Sequence, residues 1–75
     1  MQVKNSIYTK EYQAFLKRLK QARIDAGLTQ VDVAKKLKQY QSYVSKCESG
    51  ERRVDVVELG KFAKLYGKDA QDFID

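Results

Sequence analysis

Apolar residues recur every three to four positions along much of this chain, which is the spacing of one face of an α-helix. The first such stretch runs from about Thr9 to Ala26. One stripe along it is formed by Tyr12, Phe15, Leu16, Leu19, Ala22 and Ala26. Gly27 follows, and glycine commonly ends a helix because it tolerates a left-handed backbone. The pattern therefore predicts a first helix that stops before Gly27.

Two shorter helices are predicted next. The segment Thr29-Gln-Val-Asp32 resembles a capping box at the start of the second helix. Residues 38–40, Lys-Gln-Tyr, connect it to a third helix from about Gln41 to Glu48. Because helices this short are marginal in water on their own, we expect packing against longer neighbours to hold them.

A fourth helix is predicted to begin at Asp55, where Glu58 completes a second capping box, and to end at Gly67. Gly60 lies in its middle, at a cost of about 1 kcal/mol relative to alanine. That cost predicts a close approach of another helix at Gly60.

A final short helix is predicted to start near Asp69 and to bury Phe73, with Ile74 as a further candidate for burial. Five helices with short links predict an all-α fold, a compact five-helix bundle. We interpret residues 1–8 as an N-terminal arm and residues 9–75 as a single domain, as expected for a chain of 75 residues.

Composition excludes several kinds of function. The chain has no His, no Trp and a single cysteine, Cys47. We therefore expect no Ser–His triad, structural zinc or internal disulfide. The Asp and Glu residues fall at capping and surface positions, with no inward carboxylate pair and no phosphate-cradling glycine loop, so we also expect no enzyme activity, metal or cofactor. No apolar run reaches the roughly 20 residues of a membrane span, and no secretory signal is recognised. These features predict a cytoplasmic protein without a membrane partner.

The net charge of +5 is unevenly distributed. Residues 1–50 carry ten Lys or Arg and four Asp or Glu, a balance of +6, whereas residues 51–75 carry five and six, a balance of −1. A basic first part suits a polyanion such as a nucleic acid. A solvated, lysine-rich surface is the alternative, and composition alone leaves both open.

The third predicted helix has two chemically different sides. Its apolar side carries Val44 and Cys47. The opposite side is wholly polar and consists of Gln41, Ser42, Ser45 and Lys46. A capped helix, a tight link and a second helix with a polar outer side together indicate a helix-turn-helix motif, here over about residues 29–48.

This motif closely resembles that of the Cro and phage-repressor (xenobiotic-response-element-like) helix-turn-helix transcriptional regulators. The resemblance lies in Leu28-Thr-Gln-Val-Asp-Val-Ala-Lys-Lys-Leu37 and Gln41-Ser-Tyr-Val-Ser-Lys-Cys-Glu-Ser-Gly50, and it extends over roughly residues 12–67. It implies a lambda-repressor-like fold. It also implies a sequence-specific regulator of transcription that binds double-stranded DNA, expected to be a homodimeric repressor on a palindromic operator.

The resemblance implies that the third helix lies in the DNA major groove with its N-terminal residues toward the base edges. The residues predicted to contact bases are Gln41, Ser42, Ser45 and Lys46. The residues predicted to contact the DNA backbone are Gln30, Tyr43, Ser49, Arg52 and Arg53. The resemblance also implies that Gln30 supports Gln41. For Tyr43, a half-buried core position is an equal alternative.

Arg23 lies in the middle of the apolar stripe of the first helix, where an unpaired arginine is costly. Snorkelling out of the last turn is one solution. The resemblance implies another, because family members often place an arginine here against the glutamate that Glu48 matches. We therefore predict an Arg23–Glu48 ion pair that fixes the angle of the third helix.

The turn before the third helix departs from the family pattern. Lys38 stands where glycine is usual, and Tyr40 stands where Ser, Thr or Pro is usual. We therefore expect a left-handed backbone at Lys38 and a poor N-cap for the third helix. Tyr40 is compatible with a core position or with contact to the DNA backbone.

Three apolar residues outside the inward stripes, Val57, Leu65 and Ile74, predict a patch for a homodimer, although scattered surface hydrophobes are common. A second possible function is an antitoxin-type protein-interaction module whose DNA binding is secondary. Such a module would bind a protein partner at this patch. A third possible function is binding of RNA or the ribosome through the basic face. The sequence lacks the aromatic stacking platform that is common in single-strand readers, which disfavours this function.

Overall fold

The computed structural model describes residues 9–74, so the predicted N-terminal arm at residues 1–8 lies outside the described residues. The described residues form four α-helices, which are α1 (Lys10–Asp25), α2 (Gln30–Leu37), α3 (Gln41–Ser49) and α4 (Val56–Tyr66). Within residues 9–74 there is no strand, and none of the helices combines the length and hydropathy that a bilayer crossing requires. The predicted all-α class is confirmed.

The last element is a single 3-10 turn, Ala70–Phe73, where a fifth helix was expected. Four residues are too few for a stable α-helix. The turn still buries the Phe73 side chain, which is 1% exposed, whereas Ile74 is 61% exposed. The predicted five-helix bundle is therefore a four-helix domain closed by a 3-10 turn.

Capping boxes determine where two of the helices begin. The Thr29 N–H donates to Asp32 Oδ2 at 2.9 Å, and the Asp32 N–H donates to Thr29 Oγ1 at 3.0 Å. Asp55 and Glu58 exchange the same pair of bonds at the start of α4. Each box satisfies two backbone N–H groups that lack a partner within the helix. Both predicted capping boxes are confirmed.

The turn between α2 and α3 has the left-handed backbone that the family resemblance implies. Lys38 lies in the left-handed region, with φ 58° and ψ 46°, and it is the only residue besides glycine with positive φ among residues 9–74. The next residue closes the turn, because the Gln39 N–H donates to the Ala34 carbonyl at 2.9 Å. Tyr40 precedes α3 without a side-chain capping bond. It is 85% exposed, which excludes the core position.

The core lies where the four helices and the terminal turn meet. Its most fully buried side chains are Leu19, Val33, Val44, Cys47, Phe62 and Phe73. The helix α3 packs against α2 and α1, while the terminal turn packs against α1 and α4. Burial raises the pKa of the Cys47 thiol. The thiol therefore stays protonated and packs as a small apolar group.

The predicted close approach at Gly60 is wrong. Gly60 is exposed, and a Cβ at this position would meet no atom within 4 Å apart from its own chain neighbours and helix backbone. The inward stripe of α4 is formed by Leu59, Phe62, Ala63 and Tyr66. Gly60 lies beside that stripe and faces solvent, so no neighbouring helix requires a glycine there.

Candidate nucleic-acid interface

The four residues predicted to contact bases lie together on the outer side of α3. All of them are exposed, namely Gln41, Ser42, Ser45 and Lys46. On the inner side of the same helix, Val44 and Cys47 are both 0% exposed. The helix is therefore held by one apolar side and presents amide, hydroxyl and ammonium groups on the other. Such groups match the donors and acceptors of base edges in a major groove.

An ion pair between α1 and α3 holds the inner end of α3. Arg23 Nε lies 2.6 Å from Glu48 Oε2, and Arg23 Nη2 donates to Glu48 Oε1 at 3.2 Å. The Arg23 and Glu48 side chains are only 11% and 4% exposed. The hydrogen bond to Glu48 is the main reason that the pKa of Arg23 is raised. This bidentate geometry restrains both the position and the rotation of α3 relative to α1.

The Glu48 carboxylate also accepts a hydrogen bond from Gln30 at the start of α2. Gln30 Nε2 donates to Glu48 Oε1 at 3.0 Å. The Gln30 amide is therefore bonded to Glu48, near the end of α3. Gln30 was expected to support Gln41, but within residues 9–74 no hydrogen bond joins these two side chains. Arg23 Nη1 donates to the Leu28 carbonyl at 2.9 Å. One network thus joins α1, the start of α2 and the end of α3.

Tyr66 lies beside this network and has a buried hydroxyl. Its ring packs near Phe62, with ring centroids 6.0 Å apart. The Tyr66 hydroxyl has no hydrogen-bond partner among the described residues. Burial and the negative charge of Glu48 raise the pKa of Tyr66, so the phenol stays neutral. Nothing in the sequence pattern pointed to this hydroxyl, because Tyr66 occupies an ordinary position on the inward stripe of α4.

A second polar cluster joins α3 to α4 and includes two of the predicted backbone contacts. The Tyr43 hydroxyl donates to Glu58 Oε2 at 3.0 Å, and Arg52 Nη2 pairs with the same oxygen. The Arg52 Cζ atom lies 5.1 Å from the centroid of the Tyr43 ring. Tyr43 is half-buried and its ring lies parallel to that of Phe62, so the structure gives it the core position left open above. Glu58 was predicted only as a helix cap.

Arg53 points in a different direction from Arg52. Its Cζ atom lies 5.6 Å from the centroid of the Tyr12 ring on α1. The Tyr12 hydroxyl in turn accepts a bond from the Val54 N–H at 3.0 Å. Tyr12 therefore fastens the loop after α3 to α1, a role that its place in the apolar stripe did not reveal. The two neighbouring arginines rest on the rings of two different helices.

Ser49, at the end of α3, is engaged by its own loop. Its hydroxyl donates to the Lys46 carbonyl at 3.2 Å and accepts from the Glu51 N–H at 3.3 Å. Arg52 adds a backbone bond, since its N–H donates to the same carbonyl at 3.0 Å. These bonds hold the loop against the last turn of α3.

The three residues predicted for a homodimer do not line one hollow. Ile74 lines an apolar groove of about 400 Å³. Leu65 lines a separate hollow beside Leu37, and Val57 lines neither of them, although it is 65% exposed. The groove instead brings Ile74 together with Tyr12, Phe15, Val54, Val56 and Leu59. Val56, which is 79% exposed, was missing from the predicted patch.

Comparisons with known proteins agree with this arrangement. Residues 14–73 match the family model of a helix-turn-helix domain. Among solved structures, the chain is similar to an XRE-family like protein from Pseudomonas syringae pv. tomato str. DC3000, with 43% sequence identity and a TM-score of 0.81. The match covers 91% of this chain and 83% of that chain. No curated protein matches the chain.

Proposed function

Because this chain belongs to the XRE-like helix-turn-helix regulators, which bind DNA, we propose that it reads a specific double-stranded DNA sequence with α3 in the major groove. The observation that carries the proposal is the outer side of α3. Its four polar side chains stand in solvent above a fully buried apolar side. A solvated surface helix needs no such rigid support, whereas base readout requires side chains held at a defined angle.

The outer side of α3 contains groups suited to particular bases. Gln41 is the first residue of α3, and a glutamine amide there bonds adenine through its N6 and N7 atoms. Lys46 supplies an ammonium for the O6 and N7 acceptors of guanine. Ser42 and Ser45 each supply a hydroxyl that donates or accepts. We assign base contact to these four residues.

Contact with the DNA backbone is assigned to residues that flank the base-reading side. Arg52 and Ser49 lie beside the last turn of α3, and Gln30 lies at the start of α2. Tyr43 contributes indirectly, because its half-buried ring lies under the Arg52 guanidinium. Arg53, on the Tyr12 ring, provides a further cation for phosphate. Such contacts position the protein without reading sequence.

We propose that two copies act together as a repressor on a palindromic operator. One α3 reads only a few base pairs, so one domain alone has little specificity. Two copies related by a two-fold axis read half-sites about 34 Å apart, one turn of DNA. The proposed contact surface between the copies consists of Val57 and Ile74, which are exposed, and Leu65, which is half-buried.

Selection from a pool of random duplexes, followed by a salt titration, tests the proposal. We expect enrichment of a palindrome. Gln41→Ala should relax the preference at one base position of each half-site by about 1–3 kcal/mol. Gln71→Ala is the matched control, because Gln71 is an exposed glutamine in the terminal turn. A pool that shows no enrichment contradicts specific readout.

An antitoxin-type protein-interaction module is the second candidate. The exposed side chains of Val56 and Ile74 at one apolar groove favour it. It predicts weak duplex binding that is indifferent to sequence. The same selection therefore separates the two candidates.

A further inference from the structure

The carboxylate of Glu58 joins three separate parts of the fold. Its Oε2 atom accepts from the Tyr43 hydroxyl on α3 and pairs with Arg52 in the loop after α3. Its Oε1 atom accepts from the Asp55 N–H at 3.0 Å, as the cap of α4. The Glu58 side chain is only 14% exposed. A group with these contacts does more than cap the start of α4, because it also ties the loop cation Arg52 to Tyr43 on α3.

Arg52 is restrained by this carboxylate yet remains accessible. Its guanidinium lies over the Tyr43 ring and pairs with Glu58 through Nη2. Its backbone N–H is bonded to the Lys46 carbonyl. The side chain is nevertheless 47% exposed. Since a guanidinium has five N–H donors in a planar fork, one bonded nitrogen leaves an outer edge for another anion.

We propose that Glu58 is a positioning residue for DNA binding, which holds the Arg52 guanidinium in the orientation that contacts a phosphate. This inference rests on the proposed function. An arginine that becomes ordered only on binding loses rotamer freedom at that moment, which weakens the complex. In this fold the freedom is already lost when Glu58, the Tyr43 ring and the loop backbone come together.

A carboxylate beside a polyanion ordinarily opposes binding, so the proposal reverses the usual expectation. Burial alone raises the pKa of Glu58, but bonds from the Asp55 N–H, Tyr43 and Arg52 together lower it below its ordinary value. The group is therefore ionised at neutral pH, and its charge is compensated by its donors. Simple charge repulsion predicts that Glu58→Gln tightens DNA binding, whereas positioning predicts that it weakens binding.

The test is a fluorescence-anisotropy titration of the whole chain against a labelled duplex enriched from the random pool. Glu58→Gln should weaken binding about two- to tenfold, from the cost of ordering one side chain on association. Glu51→Gln makes the same charge change at an exposed position in the loop that carries Arg52. This control should tighten binding slightly.

A second arm asks whether Glu58 acts through Arg52. Arg52→Ala should weaken all duplexes alike and reduce the slope of affinity against salt by about one. In the Arg52→Ala background, Glu58→Gln should change affinity by less than about twofold, because the residue that it positions is gone. Tyr43→Phe keeps the ring under Arg52 and removes one donor to Glu58, so it should weaken binding less than Glu58→Gln does.

Folding is controlled by thermal unfolding of every variant. Glutamine retains the capping bond to the Asp55 N–H, so Glu58→Gln should stay folded at the temperature of the titration. Binding by Glu58→Gln at or above wild-type affinity overturns the positioning role, as does an equal loss in the Arg52→Ala background. A wild-type chain that binds no duplex overturns the proposed function itself, and this inference with it.

Discussion

Replacing Arg23 by alanine removes the partner of a buried carboxylate. The Glu48 side chain is 4% exposed and is held by both Nε and Nη2 of Arg23. After the substitution, the Gln30 amide is its remaining side-chain donor among residues 9–74. An ionised carboxylate at this depth is poorly solvated and nearly unpaired.

The size of the effect follows from the burial of the pair. Breaking a buried ion pair from one side costs about 3–5 kcal/mol, whereas an exposed pair contributes about 0–1 kcal/mol. At 11% and 4% exposure, this pair is close to the buried case. Because Gln30 continues to donate to Glu48, we expect the lower end, about 3 kcal/mol. Small domains are stable by only about 5–15 kcal/mol, so this loss is a large fraction of the total.

Urea unfolding at neutral pH, followed by circular dichroism, measures the loss. Lys20→Ala is the control, because Lys20 is exposed on the same helix and surface substitutions usually change stability by less than about 0.5 kcal/mol. Adding Glu48→Gln to Arg23→Ala should restore part of the loss, since an uncharged amide is less costly to leave unpaired. A loss below about 1 kcal/mol for Arg23→Ala refutes the reasoning.

Three further substitutions and one pH dependence test the fold. Gly60→Ala should raise the free energy of unfolding by about 0.5–1 kcal/mol, because Gly60 is helical and has open space around it. Gly67→Ala should lower the free energy of unfolding by about 1 kcal/mol, because Gly67 has φ +69°. Thermal unfolding measures both changes. Phe62→Ala should cost about 3–5 kcal/mol in urea unfolding, since the Phe62 ring is 0% exposed. The pKa of Glu58 is lowered from 4.5 in the folded state, so its contribution to stability is fully present above pH 4.5 and is lost as the pH falls through the folded value. Glu58→Gln should therefore flatten the acid side of the stability curve, and an unchanged slope below pH 4.5 contradicts this assignment.

Local features were predictable because their causes lie within a few residues. The two capping boxes depend on side chains three positions from the backbone groups that they bond. The left-handed backbone at Lys38 is also local, but it was expected because the family usually has glycine at this position. The polar outer side of α3 follows from helical periodicity alone, and all four of its residues are exposed.

Contacts between distant segments were predictable only where the family resemblance supplied them. The Arg23–Glu48 contact spans 25 positions, and it was expected only because the family resemblance implied it. The Tyr43–Glu58 contact spans 15 positions and the Val54–Tyr12 contact spans 42. No periodicity links residues at such separations, so the sequence left these contacts unassigned.

The amino-acid pattern by itself determined the helical class, the helix starts and the chemistry of the α3 surface, because periodicity and capping are short-range effects. Tertiary structure alone decided which aromatic ring supports each loop arginine, what Glu58 binds, and that Gly60 faces solvent. Those outcomes depend on the angles at which helices pack. Packing angles are set by the shapes of many side chains together, and no single stretch of the chain encodes them.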